Sequence, residues 1–192
     1  MTRLCLVRHG LTEFNRLKKL QGASDIPLNE EGEYQARRAA DKLREEQFDA
    51  IVSSPLGRAY RTAEIINEYH NLPIETMNEL KEQHFGELEG HHIDDIMEKY
   101  PHGELPGAET FEALAERVQI ALDHILEHHR NQYVLVTAHS RTIKSILSLF
   151  SKEIDMLGTK LDNCSVSYIE YVDSKWQVHE YNIPTYTGNE QI

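Results

Sequence analysis

Tyr133-Val134-Leu135-Val136-Thr137-Ala138-His139-Ser140-Arg141 is the stretch on which the fold turns. Its first six residues form a nearly continuous apolar run without alternation, as a strand covered on both faces requires. Ile143, Ile146, Leu147 and Phe150 follow at helical spacing, beginning almost at once. A doubly covered strand that runs straight into a helix is a building unit of a parallel α/β sheet.

The same alternation recurs outward from that point. Leu4-Cys5-Leu6-Val7 and Ala50-Ile51-Val52 read as two more buried strands, and Pro73-Ile74-Glu75-Thr76-Met77 as a weaker one. Helical stripes lie between them. Ala36, Ala39, Ala40 and Leu43 follow Asn29, a residue suited to capping. Leu56, Ala59, Ala63 and Ile66 follow Ser54 as expected N-cap, with Pro55 at the first helical position. Phe111, Leu114, Val118, Ala121, Leu122 and Ile125 make the longest stripe. Ser165 to Val172 and Lys175 to Tyr181 flank Asp173-Ser174 and predict a terminal β-hairpin. The expected fold is α/β, a mostly parallel central sheet with helices on both faces. One domain over residues 1–183 is expected, with a loosely ordered tail over 184–192.

Composition narrows the partners. The formal net charge is −12, from 32 acidic and 20 basic side chains, and a field of that sign repels nucleic acid and anionic membrane. Neither is an expected partner, and a bound anion would need a local basic pocket. No stretch approaches the roughly 18 apolar residues of a membrane span. The N-terminal apolar run is cut off by Arg8, too soon for a signal peptide. Cys5 and Cys164 make neither a disulfide framework nor a metal-binding spacing. A reduced, cytoplasmic protein is expected.

In open α/β sheets ligands bind beyond the carboxyl ends of the strands. There this chain carries Arg8-His9-Gly10 with Thr12 and Asn15, then Ser53-Ser54-Pro55-Leu56-Gly57-Arg58, then Glu79-Leu80-Lys81-Glu82, then His139-Ser140-Arg141-Thr142. Two histidines, at least two arginines and a carboxylate converge on one edge. Arginine's fork of donors matches phosphate oxygens, and the helices expected near Ser54 and Ser140 would aim positive N-termini at the same place. Each piece alone has an ordinary structural reading; their convergence favours a phosphate pocket.

Taken in order, these blocks resemble a family. Leu6-Val7-Arg8-His9-Gly10-x-Thr12-x-x-Asn15 with Gln21-Gly22, Ser53-Ser54-Pro55-Leu56-x-Arg58-Ala59, Glu82-x-x-Phe85-Gly86-x-x-Glu89-Gly90 and Val136-x-x-His139 are similar to the signature of the histidine phosphatase superfamily, in its cofactor-dependent phosphoglycerate mutase-like branch. The resemblance implies that His9 is a nucleophile that becomes phosphohistidine. It implies that Arg8, Arg58 and His139, helped by Asn15, hold the phosphoryl group, and that Glu82 donates and later accepts a proton. Gln21 and Gly22 would line the substrate side, and Ser140 would contribute a backbone N–H to the phosphate-binding set. The chemistry suits these residue types. An imidazole is a competent nucleophile near neutral pH, and guanidinium groups can neutralise phosphoryl oxygens as a metal would, so neither metal nor other cofactor is expected.

Two positions and one spacing depart from the family pattern. Leu11 stands where Glu is usual, and Ser140 where Gly is usual; a Ser there would be strained if the position needed φ > 0. Only 56 residues separate Glu82 from His139, a shorter segment than the mutases carry, which tilts the expectation towards hydrolysis of a small phosphorylated metabolite. A phosphoglycerate mutase is the alternative enzyme. A catalytically dead phospho-ligand module is the non-enzymatic one, although its mark, loss of His9, an arginine or Glu82, is absent. Among the 11 histidines, His124 and His128 alone have a spacing suited to Zn²⁺, and a solvated helix face explains them more simply. Arg141 adds a cation of undetermined direction, and Cys164 is expected to be partly exposed. Oligomeric state is not legible.

Overall fold

The computed structural model describes residues 1–186. Its elements run β1 (Thr2–Arg8), α1 (Glu13–Arg16), α2 (Glu30–Leu43), β2 (Ala50–Ser53), α3 (Gly57–Asn67), β3 (Ile74–Thr76), α4 (Ile93–Lys99), α5 (Phe111–His128), β4 (Tyr133–Ala138), α6 (Ser140–Ser148), β5 (Val166–Val172) and β6 (Lys175–Ile183). Short 3₁₀ turns at Asn78–Leu80 and Gly86–Leu88 lead from β3 towards α4. The strands form one sheet in the order β3-β2-β4-β1-β5-β6. The first four are mutually parallel; β5 lies antiparallel to β1, and β6 to β5.

The continuous apolar strands are explained by two cores. Leu4, Leu6, Val134 and Val136 point to one face, against α5 and α6. Cys5, Val7, Ile51 and Leu135 point to the other, against α2 and α3. Every residue of β4 is buried. A third cluster of Leu20, Phe85, Ile96 and Leu105 lies apart from the sheet and builds part of the cavity described below.

Local expectations hold at several ends. The Asn29 side chain accepts from the Gly32 amide at the start of α2. The β5–β6 turn places Asp173 and Ser174 both at positive φ, 50° and 62°, as a tight two-residue hairpin turn demands. Two expectations need correction. The helix after β2 begins at Gly57 with Leu56 as N-cap, because the Ser54 hydroxyl is turned inward to His139 while accepting from the Leu56 amide. Cys164 is fully buried, and its amide donates to the carbonyls of Arg8 and His9, so it closes the end of β1. Of the expected tail, 187–192 lie outside the described residues. Before them, Thr185 donates to the Cys164 carbonyl, and Tyr186 accepts from Gln35.

The start of α2 meets the loop after β1 backbone to backbone. A Cβ on Gly32 would stand 2.0 Å from the Leu11 carbonyl oxygen, and one on Gly10 would stand 2.4 Å from the Gly32 oxygen. Gly32→Ala should therefore lower stability by about 1–3 kcal/mol in urea denaturation, despite alanine's helical advantage of about 1 kcal/mol. A midpoint at or above that of the parent protein would show that the contact yields without strain.

Candidate active site

Three adjacent strands end at one level. β1 pairs with β4 so that Arg8 faces Ala138, and β2 pairs with β4 so that Ser53 faces Thr137. The next residues, His9, His139 and Ser54, are consequently neighbours. The His9 amide donates to Ala138 at 3.0 Å, the Ser54 amide donates to Thr137 at 2.9 Å, and the two imidazole centroids are 5.2 Å apart. His139 Nε2 lies 2.7 Å from the Ser54 hydroxyl.

His9 is 2% exposed and its Nδ1 is 2.7 Å from the Gly10 carbonyl. A carbonyl can only accept, so Nδ1 carries the proton and Nε2 keeps its lone pair. Burial, then the charges of Arg58 and Arg8, hold the His9 pKa well below the usual imidazole value. Burial, then Arg58, His9 and Arg8, do the same to His139. Both rings are neutral where an ordinary histidine titrates.

Arg58 is fully buried in the first turn of α3. Its Nη1 donates to the Ser24 carbonyl at 2.7 Å, and its Nη2 to the Gly22 carbonyl at 2.8 Å. That loop is held in turn by Glu89, whose carboxylate accepts from the amides of Ala23, Ser24 and Phe85 and from the Ser24 hydroxyl. Burial raises the Glu89 pKa, but these bonds outweigh it and leave it below the carboxylate norm. Gly22 is required there: its φ is +54°, and a Cβ would stand 2.2 Å from Glu89 Oε1. Arg8 donates from Nη1 to the Leu161 carbonyl. Arg8 Nε, Arg58 Nε and His139 Nδ1 are buried without a hydrogen bond.

Glu82 caps α6. Its carboxylate accepts from the Arg141 and Thr142 amides, each at 3.2 Å. The Gly57 amide opening α3 donates to Asp25 at 2.7 Å. Both helix N-termini expected to face a phosphate thus hold the chain's own carboxylates, and the positive character of the site comes from side chains. The segment carrying Glu82 is clamped by Arg117 of α5, which donates to the carbonyls of Glu79, Lys81 and Glu82 and pairs with Glu109.

A cavity of about 210 Å³ opens at these strand ends. Arg8, His9, Asn15, Gln21, Gly22, Arg58, Glu82 and Ser140 line it, and His139 is packed against His9. Asn15 Oδ1 accepts from Thr12 and Asn163, so its NH₂ is the end left to donate. Ser140 opens α6 and is not among the positive-φ residues, so serine is unstrained there. Leu11 donates its amide to Gln35 and accepts from Asn29 through its carbonyl. Ile93, Ile96, Met97 and Leu105 on the wall come from the segment His91 to Gly107, from which the sequence analysis singled out no individual residue, and Lys19, Leu20 and Lys144 carried no expectation at all. The apolar members come from loops and the short α4, which lack a long periodic stripe. Lys144 had a signal, a lysine on the apolar side of α6 one turn beyond Arg141.

Away from this cavity, His124 and His129 both bond the Glu75 carboxylate, and His124 stacks on His128 at 4.1 Å. Among the described residues, no group of three or more acidic, histidine or cysteine side chains is arranged to hold a metal ion.

The depressed imidazoles set a pH signature. Resonances of His9 and His139 should stay at their neutral positions between about pH 5.5 and 7.5, where ordinary histidines move. Unfolded, both groups would titrate near pH 6.5, so the unfolded state binds more protons just below that pH. Stability should fall on acidification from about pH 6.5, at up to about 3 kcal/mol per pH unit for two protons. Titration of either ring near 6.5 would contradict the burial argument.

The family profile described as Histidine phosphatase superfamily (branch 1) matches residues 4–184. The uncharacterized phosphatase PhoE of Bacillus subtilis is 42% identical over 184 residues, covering 95% of each chain. The probable phosphoglycerate mutase GpmB of Salmonella choleraesuis is 34% identical over 204 residues, covering 96% of this chain and 92% of that protein. Phosphoserine phosphatase of Entamoeba histolytica, solved as a mutant with phosphoserine, superposes with a TM-score of 0.84 at 28% identity, over 95% of this chain and 97% of that one. The chain belongs to the histidine phosphatase superfamily, branch 1, and is an enzyme of that family.

Proposed function

We propose that the protein hydrolyses phosphomonoesters of small metabolites through a phosphohistidine on His9. The observation that carries this reading is a buried, neutral His9, oriented by Gly10, beside His139 and within the field of Arg58 and Arg8. The unpaired Arg8 Nε, Arg58 Nε and His139 Nδ1 fit a phosphoryl group, whose oxygens would satisfy donors otherwise expensive to bury.

His9 Nε2 attacks phosphorus in line, the P–N bond forms, and the P–O bond to the alcohol breaks. Arg8, Arg58, His139 and Asn15 hold the equatorial oxygens, where phosphoryl transfer needs positioning and charge neutralisation most. Glu82 protonates the departing alkoxide. It then takes a proton from water, which attacks the phosphohistidine, releasing inorganic phosphate and restoring His9. Gln21, Gly22 and Ser140 border the bound ester. No metal enters either step, and the free, buried Cys5 and Cys164 suit a reducing cytoplasm. The mutase reading is favoured by the GpmB relative and differs in what accepts the phosphoryl group.

A brief pulse of labelled phosphomonoester in EDTA should leave acid-labile, alkali-stable label on His9, and none in His9→Ala protein. Label on serine, or dependence on added Mg²⁺ or Zn²⁺, would refute the mechanism. The wild-type protein should also release phosphate without a bisphosphorylated primer; interconversion of phosphoglycerates without release would favour the mutase.

Glu82→Gln should slow His9 phosphorylation by sugar phosphates by roughly 10²–10⁴-fold. With p-nitrophenyl phosphate, whose leaving group needs little proton assistance, that step should slow much less while phosphohistidine accumulates. Equal slowing of the phosphorylation step with both substrates would remove Glu82 from the acid role.

A further inference from the structure

In the sheet β4 lies on one side of β1 and β5 on the other, and the turn that enters β5 reaches the site from that second side. The Leu161 carbonyl accepts from Arg8 Nη1, and the Cys164 amide donates to the carbonyls of Arg8 and His9. Between them stands Asn163, which belongs to none of the sequence blocks that marked the site. Its Nδ2 donates to the His9 carbonyl at 3.0 Å and to Asn15 Oδ1 at 3.3 Å. A peptide carbonyl can only accept, so the amide end turned to His9 is the NH₂. The turn is held against its own preference. Cys164 has φ +56°, a left-handed conformation that residues with a Cβ avoid. Asn182 of β6 braces it, accepting from the Asp162 amide at 2.7 Å and donating to the Asp162 carboxylate.

The contact with Asn15 decides what that residue offers to the cavity it lines. A side-chain amide has nearly the same shape either way round, but one end donates and the other repels an anion. Asn15 Oδ1 has few donors to hold it away from the cavity. The Thr12 hydroxyl has a single proton, and Gln21 Oε1 at 2.8 Å competes for it with Asn15 Oδ1 at 3.1 Å. With that proton on Gln21, the Thr12 amide and Asn163 Nδ2, each at 3.3 Å, are the remaining donors among the described residues. Both bonds are long, so neither alone holds the amide firmly.

We propose that Asn163 is a positioning residue, which keeps the Asn15 NH₂ turned into the cavity and ties that setting to the peptide of His9. The inference rests on the reading of the cavity as a phosphoryl site.

The test is calorimetric binding of inorganic phosphate to the parent protein, Asn163→Ala, Asn15→Ala and the double variant. Each single substitution should weaken phosphate about tenfold, the order of one hydrogen bond to a charged group. The double variant should also lose about tenfold rather than a hundredfold, because both changes remove the same contact. Asn163→Leu, which keeps a branched side chain but donates nothing, should match Asn163→Ala, and it takes that variant's place in the cycle if Asn163→Ala does not fold. At saturating phosphate the side-chain amide resonances of Asn15 should shift in the parent protein and stay in place in Asn163→Leu. Additive losses, unchanged affinity in either single variant, parent-like affinity in Asn163→Leu or equal shifts of the Asn15 amide would each overturn the proposal. Phosphate release from p-nitrophenyl phosphate by the parent protein reads the hydrolytic assignment separately. Coupled losses in a protein without turnover would support the positioning role while removing that assignment.

Discussion

Parallel pairing of β1 with β4, in the register that sets Arg8 opposite Ala138, is the constraint from which the site follows. A one-residue slip of either strand would turn its side chains to the opposite face and part the two histidines. The register is held by burial on both faces at once: Leu4 and Leu6 against α5 and α6, Cys5 and Val7 against α2 and α3. Site geometry and core packing therefore share one set of residues. The two requirements meet at the strand ends, where the apolar runs stop and polar chemistry begins within one peptide bond.

An acidic protein that gathers cations in a pocket must support them locally. Here the support consists largely of backbone carbonyls. Arg58 is held by those of Gly22 and Ser24, Arg8 by that of Leu161 and Lys144 by that of Met156. Carbonyls fix direction without cancelling charge, so the positive potential survives for an anion. The carboxylates nearby act mainly on the scaffold. Asp25 ties the start of α3, Glu89 gathers the 22–24 loop and Glu109 braces Arg117. Glu89 thus influences Arg58 through the loop between them, and Arg117 influences Glu82 through the peptide carbonyls it grips.

The strands, the long helices and the charged residues at the strand ends were legible because they obey short-range rules. Buried strands read as continuous apolar runs, helices as stripes, and the site sits where a parallel sheet must place it. What the sequence concealed depends on contacts between distant segments. Ser54 has the composition of a helix cap, yet His139 takes its hydroxyl and the helix starts later. Glu82 carries no mark showing that it would occupy the N-terminus of α6. Leu105 and Ile96 belong to segments too short or irregular for a period to emerge, and only tertiary packing brings them to Phe85. Ser140 reads as a departure from a pattern; in place, it opens a helix without strain.

The order of the sheet carries a consequence for biosynthesis. β1 leaves the ribosome before the other five strands, but its two neighbours begin at Tyr133 and Val166, and Cys164 closes its end. Most of the chain must be made before the first strand has a partner on either side. Such sequence-distant closure is entropically slow, and until then an apolar segment remains unpaired. His9 lies at the end of that waiting strand. A nascent chain interrupted before β5 would leave it without its antiparallel neighbour and without the amide of Cys164 on its carbonyl. Site assembly is thereby tied to synthesis of Cys164 and β5, so fragments released before them would combine an unfinished site with an exposed sheet edge, the features by which quality control distinguishes incomplete chains.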